Sequence, residues 1–311
     1  MAPKCRPVDS RSTKSPDSPT VDGVTRELDD VFRDVFRGSA AVEAGVLTRG
    51  RLRGPEFQRL FRDVYVRASV KVTHELRCRA ASLALPDGVA ITGRSAATVR
   101  GVRIAWPEDP VQILATPATR LGRRKGVDAR RTVIDPGDAE PWAYGLLASP
   151  MRLTLDLLLD SPVPEAVAGL DAVLRAGLVE REHIAAMVAG RSDNGIVDAR
   201  RAVNLADPRA ESLPESVMRV HLVLAGLDPV PQFALALDRG PDVRFDLAFP
   251  RRKVAVEYDG DWRDGELWAL NRDRDRLNRV HALGWEVVFV TAPLLRDPRR
   301  MVRTVLAALG G

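Results

Sequence analysis

The sequence predicts an α/β protein, α+β overall, with more than one folded part, and three observations carry that expectation. From Asp207 onward, apolar runs follow one another as helix, three strands, helix, strand and helix. Residues 37–67 carry a smaller pattern of two brief helices and a strand pair, and residues 151–205 have helical apolar spacing alone. A chain of 311 residues is long enough to build two or more ordinary cores.

A content of 45% hydrophobic and 29% charged residues is that of a soluble globular protein. No apolar run approaches the roughly 18 residues that a membrane-spanning helix needs, so none is expected. The N-terminal basic residues have no apolar stretch behind them, which speaks against a secretory leader. Cys5 and Cys78 are the whole cysteine complement; that excludes a disulfide framework and fits the cytoplasm. The four histidines are scattered, without zinc-site spacing.

A net charge of +5 leans towards a polyanionic partner, and its distribution says more. Residues 37–79 hold ten Lys/Arg against four Asp/Glu, and residues 120–131 hold six against one. Residues 209–311 are nearly balanced, sixteen against fifteen. A basic reader joined to a near-neutral, carboxylate-bearing worker fits that pattern.

Taken in order, residues 1–25 are rich in Pro, Ser, Lys and Arg and read as a disordered tail. Residues 26–70 read as a winged helix-turn-helix. Ser39 is placed to cap its first helix, Gly45 to end it, and Thr48 to cap the second. Arg49, Arg51 and Arg53 lie on or beside that second helix, available to DNA or merely forming a solvated basic face. Residues 71–150 mix helix and strand, with an Arg-rich loop from Arg120 to Arg131, and residues 151–206 form a helical connector. Residues 207–311 form the last domain, a mixed sheet flanked by helices.

The sharpest expectation concerns register. If residues 250–253 form a hairpin loop, Phe249 pairs with Val254, Leu247 with Val256 and Phe245 with Tyr258, so these six share one face. The same register sets Asp246 opposite Glu257, with Ala248 and Ala255 beside them and Asp259 on that face. Opposed like charges destabilise a strand pair, and a divalent cation is the natural compensation: Mg2+ is held by one or two carboxylates plus water and phosphate oxygens. The bland alternative is a solvated edge whose acids pair with arginines. Glu215 has two readings as well. Ser212 and Glu215 make a capping box, and the same glutamate is placed to add a ligand or hold a water beside the metal. On the following helix, Arg272, Arg276 and Arg279 share a side and suit either a nucleic-acid backbone or ion pairs with the neighbouring aspartates. Trp285 is expected in the core.

The segments SLPES, RFDLAFP, VAVEYDG, the Arg/Asp-rich helix and LGWEVVFVT together resemble the very-short-patch-repair-like branch of the PD-(D/E)XK nuclease superfamily, over about residues 207–311. The resemblance implies a restriction-endonuclease-like αβββαβ core and Mg2+-dependent cleavage of DNA phosphodiesters, with Mn2+ as a substitute cation. It implies Asp246 and Glu257 as metal-binding acids and Glu215 as the helix acid. Two departures stand out: the usual lysine two residues after the second acid is Asp259, and residues 261–264 (DWRD) stand where a histidine is common. Over about residues 25–150, FRGSAAVEAGVLTRGRLRG, FQRLFRDVYV and CRAASLALPDGVAITGRSAATVRGV resemble the AbiEi-type antitoxin family of toxin–antitoxin systems. That resemblance implies DNA binding through the winged helix. The expected function is a Mg2+-dependent DNA endonuclease with a DNA-binding module; the alternative is a non-catalytic regulator or antitoxin with a degenerate nuclease domain. DNA is the expected partner, a membrane is not, and self-association as a homodimer stays open.

Overall fold

The computed structural model describes residues 32, 34–237, 242–260 and 267–310, leaving out the side chains of 267–273. The chain is mixed α/β, with three sheets among the described residues, and divides into two compact units, Met1–Lys71 and Val72–Gly311. The tail expected at residues 1–25 lies outside the described residues.

The first unit runs β1 (Phe36–Arg37), α1 (Gly38–Glu43), α2 (Arg49–Leu52), β2 (Phe57–Phe61) and β3 (Val64–Arg67), with sheet order β1-β3-β2. Phe32, Leu47, Leu52 and Phe57 are buried together beneath the two helices. Gly38 opens α1 because a Cβ there would come within 2.6 Å of the Tyr65 ring. Ser39 is not the cap it was expected to be. The helix starts at Gly38, so Ser39 lies inside it, and the Ser39 N–H donates instead to Asp63 Oδ1 at 2.8 Å, tying α1 to the β2–β3 turn. Gly45 ends α1 at φ +70°, and Thr48 Oγ1 caps α2 by accepting from Arg51 N at 3.2 Å.

The second unit opens with α3 (His74–Ala84), β4 (Ala90–Ile91), α4 (Gly93–Val99), β5 (Val111–Ala115), β6 (Val127–Arg131), β7 (Ala139–Trp142) and β8 (Gly145–Ala148), in a sheet of order β6-β5-β4-β8-β7. The basic loop expected at 120–131 is partly strand. Residues 127–131 pair in parallel with β5, whose Val111, Ile113 and Leu114 are buried. Its last two arginines are spent internally. Arg130 pairs with Asp156 at 3.3 Å and with Asp160, and Arg131 donates to the carbonyls of Thr119 and Leu121 at 3.0 and 2.9 Å. Four helices follow: α5 (Pro150–Leu159), α6 (Val163–Arg175), α7 (Arg181–Ala189) and α8 (Ile196–Leu205).

The last part runs α9 (Leu213–Leu224), β9 (Val230–Leu235), β10 (Val243–Phe249), β11 (Val254–Asp259), α10 (Leu267–Ala282), β12 (Glu286–Thr291), α11 (Ala292–Leu295) and α12 (Pro298–Ala308). The helix, three-strand, helix, strand, helix order is the one the apolar runs predict; α11 is an addition. The sheet order is β12-β11-β10-β9, antiparallel except for the parallel pair β11–β12. Met218 and Leu222 of α9 and Met301 and Val305 of α12 cover one face over Leu247, Phe249, Val254 and Val256. Val280 and Trp285 cover the other, with Ala248 and Ala255. Small alanines there let the indole and α10 approach the sheet. Among the described residues no helix is long and apolar enough to cross a membrane.

Candidate active site

The hairpin carries the expected register at its turn, with Phe249 paired to Val254 and Leu247 to Val256. Pro250–Arg252 form a 3-10 turn, and Lys253 closes it at φ +52°, its Nζ donating to the Leu283 carbonyl at 3.0 Å. Beyond Leu247 the paired register stops, and so does the simple alternation. Phe245 packs not with Leu247 but in the opposite cluster, beside Ala248, Ala255 and Trp285, its ring centroid 5.2 Å from the indole's. The expected face of six apolar residues is therefore without Phe245. The change of face falls at Asp246, between the Phe245–Phe233 and Leu247–Pro231 pairs, where Gln232 of the adjoining strand has φ +52°. Such a backbone is rare outside glycine and marks an irregularity that re-aims side chains.

Asp246 uses that irregularity. Its Oδ2 accepts from Tyr258 N at 2.9 Å, so the carboxylate takes a backbone donor of β11. Burial pushes its carboxyl up to about 6; the nearby carboxylates of Glu215 and Glu257 push the same way, while Tyr258 N–H and Arg276 oppose them. Glu215 arrives from the first turn of α9, where Ser212 Oγ caps the helix by accepting from Glu215 N at 3.3 Å. Its own Oε2 accepts from Glu211 N at 2.9 Å and from Gln232 Nε2 at 2.7 Å. Glu215 thus secures the helix N-terminus and also places negative charge beside Asp246.

Glu257 is held by Arg276 of α10, which donates to both carboxylate oxygens, one of them at 3.2 Å. The Arg276 guanidinium also lies 5.9 Å from the centre of the Phe245 ring. Of its two expected roles, Arg276 is seen here in an ion pair, made with Glu257 rather than with the neighbouring aspartates. Arg279 donates to the Asp275 carbonyl at 3.3 Å, and the Arg272 side chain lies outside the described residues. Asp259 ends β11, opposite Thr291 of β12. The segment 261–264 also lies outside the described residues. Among the described residues no three His, Cys, Asp or Glu side chains are grouped at metal-holding spacing. Two carboxylates suffice for Mg2+ when water and phosphate oxygens complete its shell, so Asp246 and Glu257 fit that role once Arg276 is displaced from Glu257.

In the first unit, Arg49 and Arg53 are exposed, but Arg51 pairs with Glu56 at 2.7 Å and is only in part available to an outside anion. Sequence reading missed Gln232, whose positive φ leaves no compositional mark, and the basic group Arg296, Arg299, Arg300 and Arg303. That group was legible, since RDPRRMVR holds four bases against one acid.

No family model matches the chain. Two proteins of Mycobacterium tuberculosis, the uncharacterized protein MT2308 of strain CDC 1551 and the uncharacterized protein Rv2248 of strain H37Rv, are each 31% identical over 227 residues, covering 70% of this chain and 79% of theirs. The crystal structure of the Rv2827c protein of the same organism is a distant likeness, with a TM-score of 0.39 and 19% identity over 67% of this chain and 82% of that one. With 31% identity over more than two thirds of both lengths, the chain belongs to the family of MT2308 and Rv2248.

Proposed function

We propose that this protein is a cytoplasmic, Mg2+-dependent DNA endonuclease, able to use Mn2+, in which the winged helix-turn-helix of the first unit adds DNA affinity. The observation that carries the reading is the half-buried Asp246 carboxylate, hydrogen-bonded to Tyr258 N with the charges of Glu215 and Glu257 nearby, which burial pushes up to about 6. Concentrated, partly desolvated negative charge is what a divalent cation relieves, and such perturbed groups concentrate at functional sites. Asp246 and Glu257 would hold the ion, and bound there it would supply charge neutralisation at a scissile phosphate. The order helix, three strands, helix, strand and the very-short-patch-repair-like resemblance of residues 207–311 support the same reading.

One observation favours a second reading. Arg276 already neutralises Glu257, and no lysine or histidine stands at the usual motif positions. A DNA-binding regulator or antitoxin with a silent nuclease fold has that composition. Incubating the purified protein with supercoiled and branched DNA in Mg2+, Mn2+ or EDTA separates the two. Metal-dependent nicking supports the endonuclease; intact DNA in all three, with retained binding, supports the regulator.

The first unit gives its own expected result. Changing Arg49, Arg51 and Arg53 together to alanine should weaken duplex binding and flatten its salt dependence, the slope falling by roughly 0.9 for each phosphate no longer neutralised. Because Arg51 is paired with Glu56, Arg49→Ala with Arg53→Ala should reproduce most of the effect. Equal affinity and salt slope in the triple variant, measured by titration across salt concentrations, would leave these arginines as a solvated face.

A further inference from the structure

Within the second unit a cleft of about 1370 Å3 opens between the loop that follows α4, the helices α6 and α9, and the end of β11. Small-ligand pockets hold about 300–1,000 Å3, so this space is large enough for a polymer segment. Tyr258 and Glu211 line it, and these residues donate backbone N–H groups to Asp246 and Glu215. The cleft therefore adjoins the carboxylate site. Trp106, Arg103 and Arg296 line it too.

Trp106 is 58% exposed, yet its backbone is fixed from several directions. Its N–H donates to Asp109 Oδ2 at 2.9 Å, and its carbonyl accepts from Asp109 N at 3.0 Å. Arg77 donates to the next carbonyl, Pro107 O, at 3.0 Å. The same Trp106 carbonyl lies 2.9 Å from Nδ1 of His74, which is buried. A carbonyl only accepts, so Nδ1 carries the proton and Nε2 accepts from the Ser95 hydroxyl at 2.8 Å. This buried Ser–His pair is thus not a nucleophile with its base: both groups are out of reach of a substrate and serve to fix the loop. An indole held on a rigid loop, with its ring left in an open cleft, loses little freedom on stacking against a flat partner.

The charges match one class of flat partner. Arg103 and Arg296 are exposed, and among the described residues neither is ion-paired. Arg299, Arg300 and Arg303 continue the positive charge along α12. Of the acids lining the cleft, Glu211 is already paired with Arg244 at 2.6 Å, which leaves Glu165.

We infer that this cleft is the path of a single nucleic-acid strand, with an unstacked base on Trp106 and the backbone phosphates against Arg103 and Arg296. The inference deepens the endonuclease reading and rests on it for the polymer's identity: it makes the substrate one with an unpaired strand, such as a flap or fork, rather than a blunt duplex. The test uses the full chain in EDTA, with anisotropy of a short fluorescent single-stranded oligodeoxynucleotide and of a blunt duplex of the same sequence. Trp106→Ala should weaken single-strand binding about tenfold, the scale of one base–aromatic stack, and Trp106→Phe should restore most of it. Duplex affinity should not change in either variant. Arg103→Ala with Arg296→Ala should lower the single-strand salt slope by roughly 1.4, about 0.7 for each phosphate. No single-strand binding by the wild type, an unchanged affinity in Trp106→Ala, an equal weakening on the duplex, or competition by dTMP as strong as by the oligonucleotide would each overturn the strand path. Cleavage in Mg2+ is scored separately. A protein that binds through Trp106 but never cleaves sinks the endonuclease reading alone; one that cleaves with Trp106→Ala unaffected sinks the strand path alone.

Discussion

Asp246→Asn is expected to abolish Mg2+-dependent cleavage, to leave DNA binding largely intact, and to make the metal-free protein more stable above pH 6. The amide keeps the shape of the carboxylate and still accepts from Tyr258 N, so the hairpin end is preserved. What disappears is the charge that a divalent ion requires. The pH dependence follows from the direction of the shift. An aspartate in the unfolded chain titrates near 3.9 and this one at about 6, so the folded state holds the proton more tightly. Asp246 therefore adds stability that is fully present below about pH 4 and is lost as the pH rises through about 6. A displacement of about two units corresponds to roughly 2–3 kcal/mol of lost stability at neutral pH, which the asparagine does not suffer. Mg2+ should raise the melting temperature of the wild type and not that of the variant, since a ligand stabilises only the state it binds. Undiminished cleavage in the variant, once contaminating nuclease is excluded, would put the active site elsewhere. A wild type that neither cleaves nor responds to Mg2+ would leave the regulator reading.

Much of this site is legible in the amino-acid order alone, because strand alternation is a local property. The turn at residues 250–253 fixes Phe249 against Val254, and the apolar residues nearest the turn follow from it by counting in twos. Counting fails at Phe245 because the ladder is interrupted at Asp246, beside a non-glycine residue with positive φ, and no pattern of apolar residues records such an irregularity. Spacing puts Arg272, Arg276 and Arg279 on one side of α10, but spacing does not say what faces that side. Arg276 reaches Glu257, nineteen residues earlier in the chain, through the tertiary fold. The same limit applies to Arg130 and Arg131, which read as a free basic loop and are consumed by Asp156, Asp160 and two backbone carbonyls. Charge counts locate bases along the chain; only the fold shows which of them are already neutralised.

The largest expected loss of stability comes from a residue outside the site, in the helices that carry it. Asp171, in the middle of α6, is wholly buried, and burial pushes its carboxyl upward even with Arg219 alongside. It accepts from Arg219 at 3.0 Å, from the Ser216 hydroxyl at 2.8 Å and from Asp207 N at 2.6 Å. Arg219 and Ser216 belong to α9, the helix whose first turn presents Glu215, so this network fastens the helical layer to the wall of the candidate site. Asp171→Ala strands the buried Arg219 guanidinium with only the Leu205 carbonyl, at 2.8 Å, as a described acceptor. Removing one partner of a buried pair costs about 3–5 kcal/mol, because the other charge stays desolvated. Denaturant unfolding should show a loss of that size, and Asp171→Asn, which keeps an acceptor for Ser216 and Asp207, should lose less. Adding Arg219→Met to Asp171→Ala should recover part of the loss, since it removes the stranded charge and fills its space with apolar atoms. If the double variant is instead less stable by the sum of two independent losses, the two residues are not coupled. The hydrogen bonds through Ser216 and Asp207 would then be what fastens α9 to the helical layer.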